Sequence, residues 1–124
     1  MGRFEADEAG ERLALAVDAV ATHRRRGSEG VVFEGADGDR SVRVEYADRL
    51  FTLAVSADER EALDGHLGSF PVFKVKQPET RKAPEGTVHV SAIADAKHAA
   101  DFLEGTLRTV YGLPEDYELR VVRV

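Results

Sequence analysis

Apolar and polar positions recur along the chain in two periods, one of three to four residues and one of two. From Asp7 to Arg26 the apolar residues Ala9, Leu13, Ala16, Val17 and Val20 keep helical spacing. Asp7, Glu8 and Glu11 fill the first turn and Arg24, Arg25 and Arg26 the last, as the helix dipole favours, and Gly27 is a fitting stop. Val31-Val32-Phe33 then reads as a short strand and Gly35 to Asp39 as a turn with an Asp-Gly signal. Val42 and Val44 alternate with Arg43 and Glu45 as far as Tyr46, and Leu50 to Val55 follows a turn at Ala47-Asp48-Arg49.

Ser56-Ala57-Asp58-Glu59 has the form of a capping box, which starts a helix burying Leu63, Leu67 and His66 and ending near Gly68. Pro71 to Lys76 reads as a strand with Phe73 and Val75 on one face and Lys74 and Lys76 on the other. Gln77 to Gly86 is a mixed-charge link with two prolines. Thr87 to Ala92 alternates with Val88, Val90 and Ala92 inward. A last helix from Asp95 to Tyr111 buries Ala99, Leu103, Leu107 and Val110, leaving Phe102 beside that stripe as a partner contact. Gly112 and Pro114 end it, and Tyr117 to Val124 closes the chain as a strand.

The order α-β-β-β-α-β-β-α-β implies an α+β fold, with a mostly antiparallel sheet carrying its helices on one face. The whole chain, 1–124, makes one domain, since this length suits a single core. At an offset of 37 residues, Ala57, Asp58, Ala62, Asp64 and Gly68 match Ala94, Asp95, Ala99, Asp101 and Gly105. Two duplicated ββα units would produce that match, and so would chance in a chain rich in Ala and Asp. The element order also resembles the compact chaperone fold of bacterial secretion systems, in topology alone.

Charge narrows the setting. Seventeen basic residues against 23 acidic ones leave a net −6, and only four of the basic residues are lysines. An acidic surface repels nucleic acid and anionic membranes at long range. Acid excess, scarce lysine and a core built largely from Ala and Val suit a salt-in halophile, where molar salt screens like charges; a GC-rich genome yields the same bias. No apolar run approaches a membrane span, the N-terminus has no apolar signal region, and there is no cysteine. The expected location is the cytoplasm.

Chemistry is sparse. His23, His66, His89 and His98 show no zinc-ligand spacing. Asp95, His98 and Asp101 would share one face of the last helix, where carboxylates and an imidazole could hold a divalent ion or simply be solvated. His89 sits among Thr87 and Ser91 on a polar strand face, a setting for hydrogen bonding more than catalysis. Neither a nucleophile elbow nor a glycine-rich phosphate loop is present. Lys74, Lys76, Arg81 and Lys82 form a locally basic stretch, but Glu79 dilutes it and no aromatic interleaves for base stacking.

Four segments carry a resemblance to a family. Arg24 to Ser28, Phe70 to Phe73, Val90 to Asp95 and Val110 to Tyr117 are similar to a family of small haloarchaeal proteins, a domain of unknown function. The resemblance implies a halophilic cytoplasm and a compact α+β domain; it supplies no activity and no site residue. The reading favoured is a non-enzymatic binding or interaction domain that self-associates, with no catalytic residue, cofactor or metal assigned. The alternatives are an enzyme using His89 or the Asp95/His98/Asp101 face, and a nucleic-acid binder using Lys74, Lys76, Arg81 and Lys82.

Overall fold

The computed structural model describes residues 5–27, 30–47, 49–76 and 86–123. Its elements are β1 (Glu5–Ala6), α1 (Ala9–Arg26), β2 (Val31–Asp37), β3 (Arg40–Ala47), β4 (Leu50–Ala54), α2 (Ala57–Leu67), β5 (Lys74–Lys76), β6 (Thr87–Ser91), α3 (Ala96–Gly105) and β7 (Glu118–Arg123). Seven strands form one sheet in the order β1-β7-β2-β3-β4-β6-β5, with every pairing antiparallel. The fold class is therefore α+β, and its helices cover one face of the sheet.

Register explains which face. Phe33 stands opposite Val44 and Val121, Tyr46 opposite Phe51, and Phe51 opposite Val90, so these side chains share the covered side. All are buried, in one cluster with Ala16, Val20, Leu63, Leu103 and Leu107 from the helices. The other face carries Glu34, Arg43, Glu45, Thr52 and His89. Its strand alternation is what the polar positions of the sequence required.

Local signals behave as their chemistry demands. Gly27 takes a left-handed conformation and its amide returns to the His23 carbonyl at 2.9 Å, closing α1. The capping box of α2 is complete: the Glu59 amide donates to Ser56 Oγ, and the Ser56 amide donates to Glu59 Oε1. Asp95 caps α3 by accepting from the His98 amide at 2.8 Å.

Beyond Gly105 the helix widens into a π-helical turn, Thr106–Val110. Two threonine hydroxyls take carbonyls four residues back there, Thr106 that of Phe102 and Thr109 that of Gly105. Hydroxyls in that position compete with the backbone amides and loosen the ladder.

Several expectations need correction. A two-residue strand, β1, precedes α1, and β2 runs on to Asp37, leaving only Gly38-Asp39 as the turn. The strand expected from Pro71 begins at Lys74, because 71 and 72 form a turn in which the Phe73 amide returns to the Phe70 carbonyl. Along α1, Ala9 is exposed and Leu13 and Val17 are partly covered. Arg12, Ala16, Ala19, Val20 and His23 make the buried face instead. Phe102 is no surface contact: it is 1 % exposed, packed between Phe51 and Phe73 at ring distances of 5.5 and 4.7 Å. The link from Gln77 lies outside the described residues as far as 85.

The 37-residue match has a geometric counterpart. Thr52 and His89, 37 positions apart, face each other across β4 and β6, and the strand order β3-β4-β6-β5 is symmetric about that pair. Helix caps do not keep the spacing. Ser56 and Asp95 are 95 − 56 = 39 apart, so Asp58, which aligns with Asp95 in sequence, stands inside its helix.

Candidate functional site

The sequence nominated His89, the Asp95/His98/Asp101 face and the basic stretch, and the structure disperses them. His89 lies on the helix-free face, where its Nδ1 is 3.1 Å from Thr52 Oγ1. His98 sits in the first turn of α3 on the opposite, helix-bearing side of the sheet. Its Nδ1 is 2.7 Å from Asp95 Oδ1, and both side chains are well exposed. Hydrogen bonds from the His98 backbone and ring hold the Asp95 carboxyl below its usual range.

Asp101 turns away from that pair to Lys97, at 3.3 Å. The three residues of that helix face therefore do not converge. No group of three or more His, Asp or Glu among the described residues is placed to hold a metal ion.

Of the basic residues, Lys74 and Lys76 lie on β5, while Arg81 and Lys82 fall outside the described residues. Elsewhere on the open face charge alternates across strands. Arg120 pairs with Glu118 and Glu34, and Glu34 also pairs with Arg43 at 3.5 Å. Such a ladder is close to neutral and offers no continuous track for a phosphate backbone. Arg24 does more than complement the α1 dipole. It donates to Tyr46 Oη at 2.9 Å and to the Ala94 carbonyl at 2.6 Å, tying α1 to β3 and to the approach to α3.

The feature that composition could not reveal is a groove. Leaving α2, the chain turns through Ser69 to Phe73. Leaving β6, it turns through Ile93 and Ala94 into the Asp95 cap. Between these two passages lies a groove of about 480 Å³, walled by Phe70, Pro71, Val72 and Ile93, with Asp95 and His98 also in its lining. Val72 is 60 % and Ile93 63 % exposed, two of three large apolar side chains so placed among the described residues.

The groove is anchored to the core by a chain of rings. Phe70 and Phe73 lie 5.6 Å apart, and both pack on Phe102. His66 stacks on Phe102 at 5.1 Å, and its Nε2 donates to the Phe102 carbonyl at 3.2 Å. That contact requires Gly105, where a Cβ would lie 2.2 Å from His66 Cε1. Burial among the rings lowers the His66 pKa against a smaller opposing pull from the Phe102 carbonyl, so the neutral ring is favoured.

A second buried cluster is polar and closed. Arg12 is 1 % exposed and makes a bidentate pair with Glu104, through Nε at 3.0 Å and a terminal nitrogen at 2.8 Å. The same guanidinium donates to the Asp7 and Tyr117 carbonyls and lies 4.1 Å over the Tyr117 ring, while Tyr117 Oη donates to Glu104 at 2.6 Å. Burial alone would raise the Glu104 pKa, but hydrogen bonds from Arg12 and Tyr117 and the charge of Arg12 outweigh it and hold the carboxyl low. Every polar atom there serves another, so this cluster joins α1, α3 and the approach to β7 and offers nothing to a ligand. Its only sequence signal was Arg12, four residues before Ala16 on the buried stripe.

Among the described residues no helix is long and apolar enough to cross a membrane. A family model matches the chain over residues 1–124, that of a family of unknown function (DUF7975). No curated protein and no solved structure matches.

Proposed function

From a chain that belongs over its full length to a family of unknown function, DUF7975, we propose a non-enzymatic protein-interaction domain that works in the salt-rich cytoplasm of a haloarchaeon. The groove carries this reading. Val72 and Ile93 remain exposed beside an aromatic floor that is otherwise packed into the core. Exposed apolar side chains gathered at one concavity mark a place where another surface docks. The halophilic setting is supported by the acid excess and the scarcity of lysine.

Capture at molar potassium chloride, with the wild-type chain and an Ile93→Asp variant compared by mass spectrometry, tests the reading. A partner held by the wild type and lost by the variant is expected. An identical set from both would overturn it.

Self-association is the second reading, favoured by knobs and hole lying in one patch. A two-fold interface uses the same surface twice, so Ile93 and Val72 of one copy can enter the groove of the other. Sedimentation at molar salt is expected to show a dimer that Ile93→Asp dissociates; a monomer at every concentration removes this reading. An enzymatic reading has less support, since His89 and the helix carrying His98 lie on opposite sides of the sheet. Nucleic-acid binding has less as well, because molar salt removes most of the electrostatic attraction it needs.

A further inference from the structure

β5 is one edge of the sheet: its inner side pairs with β6, and no described strand pairs with its outer side. An open edge of this kind can take an extended peptide as an additional strand, with main-chain hydrogen bonds for affinity and side-chain sites for selection. Three features of the edge define what it selects.

Charge is the first. Lys74 is exposed and forms no ion pair among the described residues, whereas Lys97, Arg60, Arg43 and Arg120 each do. Lys76 follows two residues on, so the edge reads Lys-Val-Lys in a chain of net charge −6. The second is the groove. Phe73 leads directly into Lys74, so the groove and its exposed Val72 adjoin the start of β5. The third is Arg49, an exposed turn residue next to Leu50. Leu50 and Lys74 both stand opposite Ser91, which sets them at the same end of the sheet, about 10 Å apart across two strand spacings.

We infer that β5 and the groove together form a strand-addition site for an extended acidic segment of another protein, its carboxylates opposite Lys74 and Lys76 and one apolar side chain seated between Phe70 and Ile93. The inference rests on the interaction-domain reading and names its partner chemistry. A second copy of β5 does not suit this edge. Antiparallel pairing about Val75 would set Lys74 opposite Lys76 twice, and like charges directly opposite destabilise a ladder. The lysines that block copy-to-copy pairing are the ones that select an acidic strand.

The test uses the full chain, isotope-labelled, titrated at moderate salt with a synthetic peptide alternating glutamate and valine and ending in leucine. A counterpart carrying lysine in place of glutamate serves as the contrast. The acidic peptide is expected to bind about tenfold tighter, from two favourable cross-strand charge pairs in place of two repulsive ones. Amide shifts are expected along Lys74 to Lys76 and Ile93 to His98. Lys74→Glu/Lys76→Glu is expected to reverse the preference, and Ile93→Asp to weaken both peptides; amide dispersion reports whether each variant is folded.

Equal affinity for the two peptides, no binding of either, or shifts confined to other elements would overturn the inference. Loss of binding in Ile93→Asp with no effect of the lysine substitutions would overturn strand addition while leaving the groove as an interaction surface. Self-association abolished by the lysine substitutions would assign the edge to a second copy, through its acidic β1, and would overturn it too.

Discussion

Helix α3 buries ionisable partners on two sides and treats them in opposite ways. At Glu104 the solution is full ionisation, with a bidentate guanidinium, a phenol and a ring beneath the cation. At Phe102 it is neutrality, with His66 held flat against one ring and edge-on to Phe70. The first cluster uses all its polar capacity internally and so acts as a staple. The second satisfies its one polar contact on a backbone carbonyl and passes its apolar surface on, through Phe70 and Phe73, to the groove. Ionic closure and aromatic continuity thus separate the part of the molecule that staples the helices together from the part that lines the groove.

The sharpest way to break the contrast is to remove one member of the staple. Glu104→Ala leaves the Arg12 cation buried without its counter-charge, and a loss of about 3–5 kcal/mol in unfolding free energy is expected. Arg12→Met combined with Glu104→Leu should recover most of that loss, because it removes both charges together. Denaturant unfolding of the three chains, in one salt, measures both effects.

On the aromatic side the corresponding perturbation is steric. Gly105→Ala places a methyl group where the His66 ring lies, so the ring must move. The expected cost is about 1–3 kcal/mol, as for other overpacked sites. The His66 titration should shift upward at the same time as the ring gains solvent. An unchanged titration would show that the ring is not held by this contact.

Acid separates the two sides further. A histidine whose folded pKa is lowered contributes stability above its unfolded value near 6.5, and that contribution fades as pH falls through the lower folded value. Glu104, also lowered, contributes above the ordinary carboxylate range near 4.3 and loses that contribution only further into acid. Stability should therefore decline in two stages, and His66→Phe should remove the first. At the alkaline end Tyr111, pushed up to about 12 by burial and the charge of Glu59, stabilises the fold below pH ~10. That contribution is lost as pH rises toward 12.

The smallest expected effect is the most general. Raising potassium chloride from about 0.1 M toward 1 M shortens the screening length from about 10 Å to about 3 Å. The melting temperature should then rise by about 4 °C, equivalent to roughly 1 kcal/mol for a domain of this size. Neutralising the exposed carboxylates Glu5, Glu8 and Glu115 should flatten the dependence. The staple, being buried, should keep its contribution across the series. A melting temperature indifferent to salt would detach the acid excess from stability.

Much of the fold is local and was therefore legible in the sequence. The capping box at Ser56, the helix start near Asp95, the stop at Gly27, and the alternation through Val88 and Val90 depend on neighbours a few residues away. The buried set of α3 and the π-helical turn after it was also legible, at Ala99, Leu103, Leu107 and Val110, because a stripe at helical spacing states its own face. The chain's length likewise suits the one hydrophobic cluster that the described residues bury.

Tertiary structure decided the remainder. Phe102 lies to one side of the helical stripe, and only the packing of Phe51, Phe73 and His66 around it makes that side an interior. Arg12 looks like a surface arginine until Glu104, 92 residues away, supplies the counter-charge that lets it be buried. Gly35 reads as a turn residue, yet it lies within β2, where a Cβ would lie 2.7 Å from Leu113. The groove forms where segments 69–73 and 93–98 meet, and neither contains a motif that requires the other. Sequence fixes what each short segment can form by itself, because backbone capping and side-chain periodicity act within a few residues. Which faces become interior depends on contacts between distant segments, and those exist only once the chain has folded.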